Sequence, residues 1–346
     1  MSERVLTQRE LNRALLARQL LLERVELPIP SVLERICGIQ NQYAPNAYIR
    51  LWSTIEGFER ADLDRAYADK SVVQATVLRG TIHTFAATDY RLFAAAVRGP
   101  IRAWARRAYR VDDPDRDAVV ARVRKALGGR TVSRAELMEL RRDASPSVWG
   151  TIDLDAEVLR IPPSGTWDKR RAHTFGLASD WLGESDQPAE DVAQDELVRR
   201  YLGAFGPAGV NDIAAFTGIP VTQLRSVLTR LTLRRFVDEG GKELLDVEGA
   251  PLPPADTPAP VRFLPTWDAM LLVHARRTGI LDEAYRKIIF STKVPPSFPT
   301  FLVDGRVVGT WKHVGGRIVA EELEPIQKAA RRELNAEAER LAAFHA

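Results

Sequence analysis

Cysteine is almost absent from this chain of 346 residues; Cys37 is the only one. That excludes an intramolecular disulfide and fits a reducing compartment. Cys37 lies among Leu33, Ile36 and Ile39, the setting of a buried structural thiol rather than a nucleophile. Long apolar runs are missing as well. No stretch approaches the roughly 18 residues of a membrane span, and the first residues, Met1 to Thr7, hold no apolar signal core. The expectation is a cytoplasmic protein with no membrane partner. Histidine is sparse and scattered: His83, His173, His274 and His313 fall in four separate segments, and there is no Cys pair. Neither a zinc site nor any other metal is expected. No Walker loop or GxGxxG is present, so no cofactor is expected. Ser164 lacks the flanking pattern of a hydrolase elbow. Lysine is scarce too: 8 of the 49 basic residues are Lys and 41 are Arg. Arginine suits phosphate and base-edge contacts, although the net charge of +3 does not by itself demand nucleic acid.

What is present is a recurring order of helices and hairpins. Residues 7 to 24 read as a helix, with Thr7 as N-cap and Glu10 at the capping-box position. Pro28 and Pro30 break it, Ser31 opens a second helix, and a third runs from Asp62 to about Lys70. The β-branched stretch from Val72 to Phe85, split at Arg79-Gly80, reads as a hairpin. Three helices and a hairpin make the order of a winged helix. Thr88-Asp89 cap a long helix to about Arg110, broken or kinked at Gly99-Pro100. A second cycle has helices over 118–127, from Ser133 to Arg142 with Glu136 completing a capping box, and over 153–160, then a strand-like stretch from Trp167 to Ala178. The third cycle is plainest: helices over 191–205, 209–218 and 220–231, and a hairpin over 234–247. Residues 251–259 are Pro-rich, and beyond them lies a small β unit closed by a charged helix over 324–343. The chain is therefore expected to be mainly α with small β hairpins, an α+β fold. Its expected units are 1–110, 111–188, 189–250 and 251–346.

Three constellations stand out. Gln40-Asn41-Gln42 follows the last apolar turn of a helix. Such carboxamides either cap free carbonyls or orient a water and face positive charge with their oxygens. Arg98, Arg102, Arg106 and Arg110 recur every four residues, with no acid between Asp89 and Asp112. They read as a solvated face or as a phosphate-contacting stripe. Lys169-Arg170-Arg171 can serve a wing on a DNA backbone, and Arg225, Arg230, Arg234 and Arg235 lie on or after the third cycle's recognition helix. Arg79, Thr81 and His83 alternate, and Trp267-Asp268 precedes His274-Ala275-Arg276-Arg277. Each of these sets reads as buried groups that fix the fold or as groups close to chemistry.

Taken together, several segments resemble the AlkZ/YcaQ family of tandem winged-helix DNA glycosylases, over nearly the whole chain. They are Gly38 to Gln42, Leu78-Arg79-Gly80-Thr81-Ile82-His83, Gly206-Pro207 with Ile213 to Gly218, Phe263 to Asp268 through Leu271 to His274, and Leu302 to Trp311. The resemblance implies three winged-helix units and a C-terminal small β-barrel, clamped as a monomer around duplex DNA carrying alkylated bases. It implies monofunctional excision of alkylated purines, notably N7-alkylguanine, and in some members unhooking of interstrand crosslinks. The family's catalytic motif is Gln, an apolar residue, then Gln or Asp. Gln40 and Gln42 fall on its polar positions, with Asn41 where an apolar residue is usual. Asp268 and His274 are then supporting residues, and Arg79, His83, the four stripe arginines and Lys169 to Arg171 are DNA-binding candidates. The rival is a winged-helix DNA-binding protein or regulator without chemistry.

Overall fold

The computed structural model describes residues 4–112, 114–170, 174–291 and 297–346. It is a mixed fold with more helix than strand. Helix Gln8–Arg18 begins at Thr7, which caps it, and Glu10 closes the capping box. Two proline-led helices follow, Ile29–Ile36 and Pro45–Trp52. A first-turn proline sacrifices no helical hydrogen bond, because those N–H groups have no intrahelical partner. The second helix thus starts at Ile29 rather than at Ser31. Pro45–Trp52 was not expected from the sequence. All eight of its residues are buried, so it carries no amphipathic period to read. Helix Arg60–Ala68 leads into the hairpin Val72–Thr76 and Ile82–Ala86.

Helix Ala87–Tyr109 runs through Pro100 without a break. Proline has no N–H for the carbonyl of Ala96 four residues earlier. Gln194 Nε2 from the neighbouring helix Glu190–Phe205 donates to that carbonyl at 3.3 Å. The orphan is satisfied from outside, and the helix continues.

Where the sequence predicts helix over 153–160, the chain makes one short turn, Ile152–Asp155, and then a strand, Val158–Arg160. Non-local pairing recruits that strand. Gln74 faces Arg160 and Ala75 faces Leu159 on one side, and Thr174–Leu177 pairs on the other. The hairpins of the first two cycles therefore join one six-stranded sheet, in the order 39–40, 82–86, 72–76, 158–160, 174–177, 132–133. The third cycle has helices Glu190–Phe205, Val210–Thr217 and Val221–Arg230 and the hairpin Arg234–Asp238 with Glu243–Asp246. The N-terminal strand Val5–Leu6 pairs parallel with this hairpin. The start of the chain is thus fastened to its third cycle.

Strands Arg262–Leu264, Thr300–Val303, Arg306–Val314 and Arg317–Glu322 form an open antiparallel sheet. Among the described residues it does not close into the expected barrel. Four strands are too few to wrap a filled interior. Helix Lys328–His345 takes over, setting Leu334 and Leu341 in one apolar cluster with Phe263, Phe301 and Trp311. No helix among the described residues is long and apolar enough to cross a membrane.

Candidate active site

Helix Ile29–Ile36 ends in two left-handed residues, Cys37 at φ +61° and Gly38 at φ +77°. A Cβ on Gly38 would lie 2.6 Å from the Phe85 ring, so only glycine fits. The reversal lays the next residues antiparallel to strand Ile82–Ala86, with Ile39 opposite Thr84 and Gln40 opposite His83. Asn41 N–H donates to the Ile82 carbonyl at 2.7 Å, and Ile82 N–H donates to Gln42 Oε1 at 3.0 Å. Backbone pairing therefore aims both carboxamides. Burial pushes the Cys37 thiol well above its ordinary range, which removes it as a nucleophile.

Gln40 is 8% exposed and pinned from below. Arg79 Nη2 donates to Gln40 Oε1 at 2.8 Å and lies 3.2 Å from His83 Nε2. His83 Nδ1 lies 3.0 Å from the Thr81 carbonyl. A carbonyl only accepts and a guanidinium only donates, so the imidazole carries its proton on Nδ1 and is neutral. Burial, reinforced by the Arg79 charge, pushes His83 down to about 3, against the opposing bond to Thr81. Arg79 itself is pushed down to about 10, chiefly by burial, and so stays charged at pH 7. Its charge rests on neutral acceptors, including the Phe216 ring 5.1 Å away.

Asn41 is buried at 3% exposure, yet its amide is paired. With its nitrogen facing the Tyr43 and Ala44 carbonyls (2.9 and 3.2 Å), its oxygen accepts from Thr84 Oγ1 at 3.1 Å. Thr84 Oγ1 in turn lies 2.9 Å from the Tyr67 hydroxyl. A polar centre between the two glutamines is thus matched by polar neighbours.

Gln42 is exposed and lines a cavity of about 300 Å³ together with Gln74, Arg141, Arg160 and Arg170. Its oxygen accepts one bond, from Ile82, and an amide oxygen can accept a second. Asp153 is the only carboxylate among the described residues lining this cavity, and Arg141 pairs with it at 3.0 Å. Arg170 bonds the Tyr43 hydroxyl at 2.8 Å and also walls a second cavity of about 470 Å³, lined by Tyr43, Trp167, Phe298 and Trp311.

The family described as DNA glycosylase AlkZ-like matches residues 33–344. The chain belongs to that family. An interstrand DNA cross-link repair glycosylase from Streptomyces sahachiroi is 24% identical over 328 residues, covering 87% of this chain and 86% of that protein. The solved Streptomyces sahachiroi DNA glycosylase AlkZ superposes with a TM-score of 0.81 at 20% identity, covering 99% of this chain and 97% of that one. The protein is a DNA repair glycosylase, a hydrolase acting on N-glycosyl bonds.

The remaining expected site residues of this glycosylase divide by location. Arg79 and His83 meet Gln40 beneath the motif, and Arg170 lines the same cavity as Gln42. Lys169 is exposed in the turn beside them. Arg171 and His173 lie outside the described residues. The arginine stripe splits. Arg98 pairs with Glu157 at 2.9 Å, and Arg102 Nε donates to Asp155 at 2.7 Å. The acids missing along the helix come from residues 155 and 157, so this half of the stripe fastens the first two cycles together. Arg106 and Arg110 stand exposed at the helix end. The third-cycle arginines are similarly occupied: Arg230 by Asp195, Arg234 by Asp246 and Arg235 by Glu243. Asp268 lies in the interior, paired with Arg50 at 3.1 Å and accepting from Met270 N–H at 3.0 Å. Its position ties helix Pro45–Trp52 to the segment after strand Arg262–Leu264. Sequence reasoning missed Arg134, Arg141 and Arg160, which only the sheet joining the first two cycles brings to Gln42.

His274 sits in a cage of Tyr201, Phe205 and Phe216, with ring centroids 6.0, 4.9 and 4.9 Å away, and both its ring nitrogens lack partners. Burial, then the Arg79 charge and His83, push it well below the ordinary imidazole range. Both His83 and His274 are folded as neutral rings. Their contribution to stability is present above the unfolded value near 6.5 and is lost as pH falls toward their depressed folded values. Between pH 6 and 5 stability is expected to fall by up to about 1.4 kcal/mol per pH unit for each ring. His274→Phe suits the cage and removes one ring's share of that slope. Urea unfolding of both proteins at pH 7, 6 and 5 checks this; equal slopes would refute it.

Proposed function

We propose that this glycosylase releases purines made cationic by alkylation, N7-alkylguanine foremost, from duplex DNA. In this reading it acts as a monofunctional monomer. One observation carries the reading: the exposed motif amide faces a cavity whose single carboxylate is already committed to an arginine. Among the described residues lining it no carboxyl group is free to protonate a leaving group, which favours a base that arrives ready to depart. Alkylation at N7 supplies that readiness, because the ring already bears positive charge.

In the proposed step, water on Gln42 Oε1 attacks C1′ of the damaged nucleotide as the C1′–N9 bond breaks. The bond's electron pair moves into the base and cancels its charge, and the water's surplus proton passes to solvent. The sugar passes through an oxocarbenium-like state, which the amide oxygens of Gln42 and Gln40 face. Pinning matters here: each oxygen is already held by one fixed donor, so little reorganisation is left for the reaction itself. The larger cavity behind Arg170 and Tyr43 gives room for substituents bigger than methyl. That supports bulky adducts and crosslinks as substrates; the name of the Streptomyces relative gives interstrand cross-links for that protein.

The test uses duplex DNA with one N7-methylguanine, incubated with the protein and then treated with hot alkali. Strand breaks at the lesion are expected well above the no-protein control. Breaks no higher than the control would overturn the reading.

A further inference from the structure

The cavity that opens onto Gln42 has a charge imbalance. Arg134, Arg141, Arg160 and Arg170 line it against the single carboxylate of Asp153. Arg141 takes that carboxylate and lies 4.8 Å over the Trp149 ring. Arg160 has no carboxylate partner among the described residues. It donates to Thr76 Oγ1 at 3.3 Å and lies 5.8 Å over Phe175. The Nε atoms of Arg141 and Arg160 are both buried without a hydrogen-bond partner. Burial holds Arg160 below the usual guanidinium range. The Asp153 charge counters this, and the Arg141 and Arg134 charges add to it.

Left empty, such a cluster repels itself. It would also oppose the positive charge that develops on a sugar beside Gln42. One anion resolves both difficulties, and a DNA strand brings one on each side of every sugar. We propose that Arg134, Arg141 and Arg160 clamp one internucleotide phosphate flanking the damaged nucleotide, and so seat its sugar against Gln42. These arginines are positioning residues: they act through the phosphate rather than on the breaking bond. The bound phosphate also sets a negative charge near the forming oxocarbenium. Burial and stacking hold the guanidiniums of Arg141 and Arg160 in place before DNA arrives, and Arg134, on the exposed first turn of helix Arg134–Leu140, completes the clamp from solvent.

The inference rests on the reading of Gln42 given above, and binding separates the two. The probe is duplex DNA with a tetrahydrofuran abasic analogue, its flanking phosphates replaced one at a time by neutral methylphosphonate. For the full chain, one replacement is expected to weaken binding about 10-fold. Arg160→Gln should weaken binding to the unmodified duplex by a similar factor and lower the log–log salt slope by about 1. It should then be indifferent to that same methylphosphonate. Arg134→Gln, at an exposed position that no core packing depends on, should show the same loss of sensitivity. In the N7-methylguanine duplex the same replacement should slow excision about 10-fold or more. Wild-type binding that ignores every flanking methylphosphonate, or variants that stay as sensitive as wild type, would overturn the clamp. If the binding pattern appears but no base is released, the reading of the reaction fails and the clamp stands.

Discussion

Gln42→Ala is expected to slow release of N7-methylguanine from duplex DNA about 100-fold in single turnover, with binding to undamaged duplex changed less than about twofold. The side chain is exposed and, among the described residues, its one hydrogen bond comes from Ile82 N–H, so its loss removes little packing. What it removes is a fixed acceptor at the mouth of the arginine-lined cavity. A water there loses its orientation, and the forming positive charge loses a facing oxygen. Gln42→Glu keeps an oxygen for Ile82 N–H and adds negative charge, so its rate should stay close to wild type. Gln40→Ala acts differently. It frees Arg79 Nη2 from its 2.8 Å acceptor, so excision and stability should fall together. If Gln40→Ala and Gln42→Ala both release the base at the wild-type rate, the motif is not catalytic.

How far the sequence foretold this arrangement depended on where each partner lies in the chain. Local signals were readable. Thr7 with Glu10 and Ser133 with Glu136 form the capping boxes their spacing announces. Asp304-Gly305 lies between β-branched residues, a hairpin turn signal in the sequence, and at φ +49° and +77° it joins the strands on either side. Gln40 and Gln42 were marked by their residue types at the end of an apolar turn, and by the family pattern. Non-local pairing was not readable. Val158–Arg160 looks helical in isolation and becomes a strand only because residues 74 and 75 lie beside it. Arg98 and Arg102 looked free because their acids, Glu157 and Asp155, lie more than fifty residues away. Asp268 and His274 were noticed for their chemistry, but burial beside Arg50 and among aromatic rings gives both a place in the core. Arg160 faces Gln74 across that same unforeseen strand pair, so its convergence with Arg134 and Arg141 required the sheet to be known first.

The same non-local logic yields the largest expected effect on stability, at Asp246. Arg18 ends the first helix of the chain, and Asp246 ends the hairpin of the third cycle. Arg18 Nη1 and Nη2 donate to the two Asp246 oxygens at 2.6 and 3.0 Å, and both side chains are fully buried. Arg18 also donates to the Leu202 and Pro251 carbonyls, and Arg234 supplies Asp246 with a second cation at 2.6 Å. Removing one member of a buried pair strands the other, at about 3–5 kcal/mol. The two removals are not equivalent. Asp246→Ala leaves the Arg18 charge in the interior with carbonyl dipoles alone. Arg18→Met leaves Asp246 still paired with Arg234, and the thioether fills part of the space. Asp246→Ala should therefore lose about 3–5 kcal/mol in urea unfolding, and Arg18→Met clearly less. The double variant Arg18→Met with Asp246→Leu should recover most of the loss, because no uncompensated buried charge remains except the partly exposed Arg234. The pair lies outside the cavity that holds Gln42, so excision per folded molecule should stay unchanged. Equal losses in the two single variants would show that Arg234 does not share the carboxylate. A loss under 1 kcal/mol in Asp246→Ala would show that the N-terminal helix is not fastened to the third cycle through this residue.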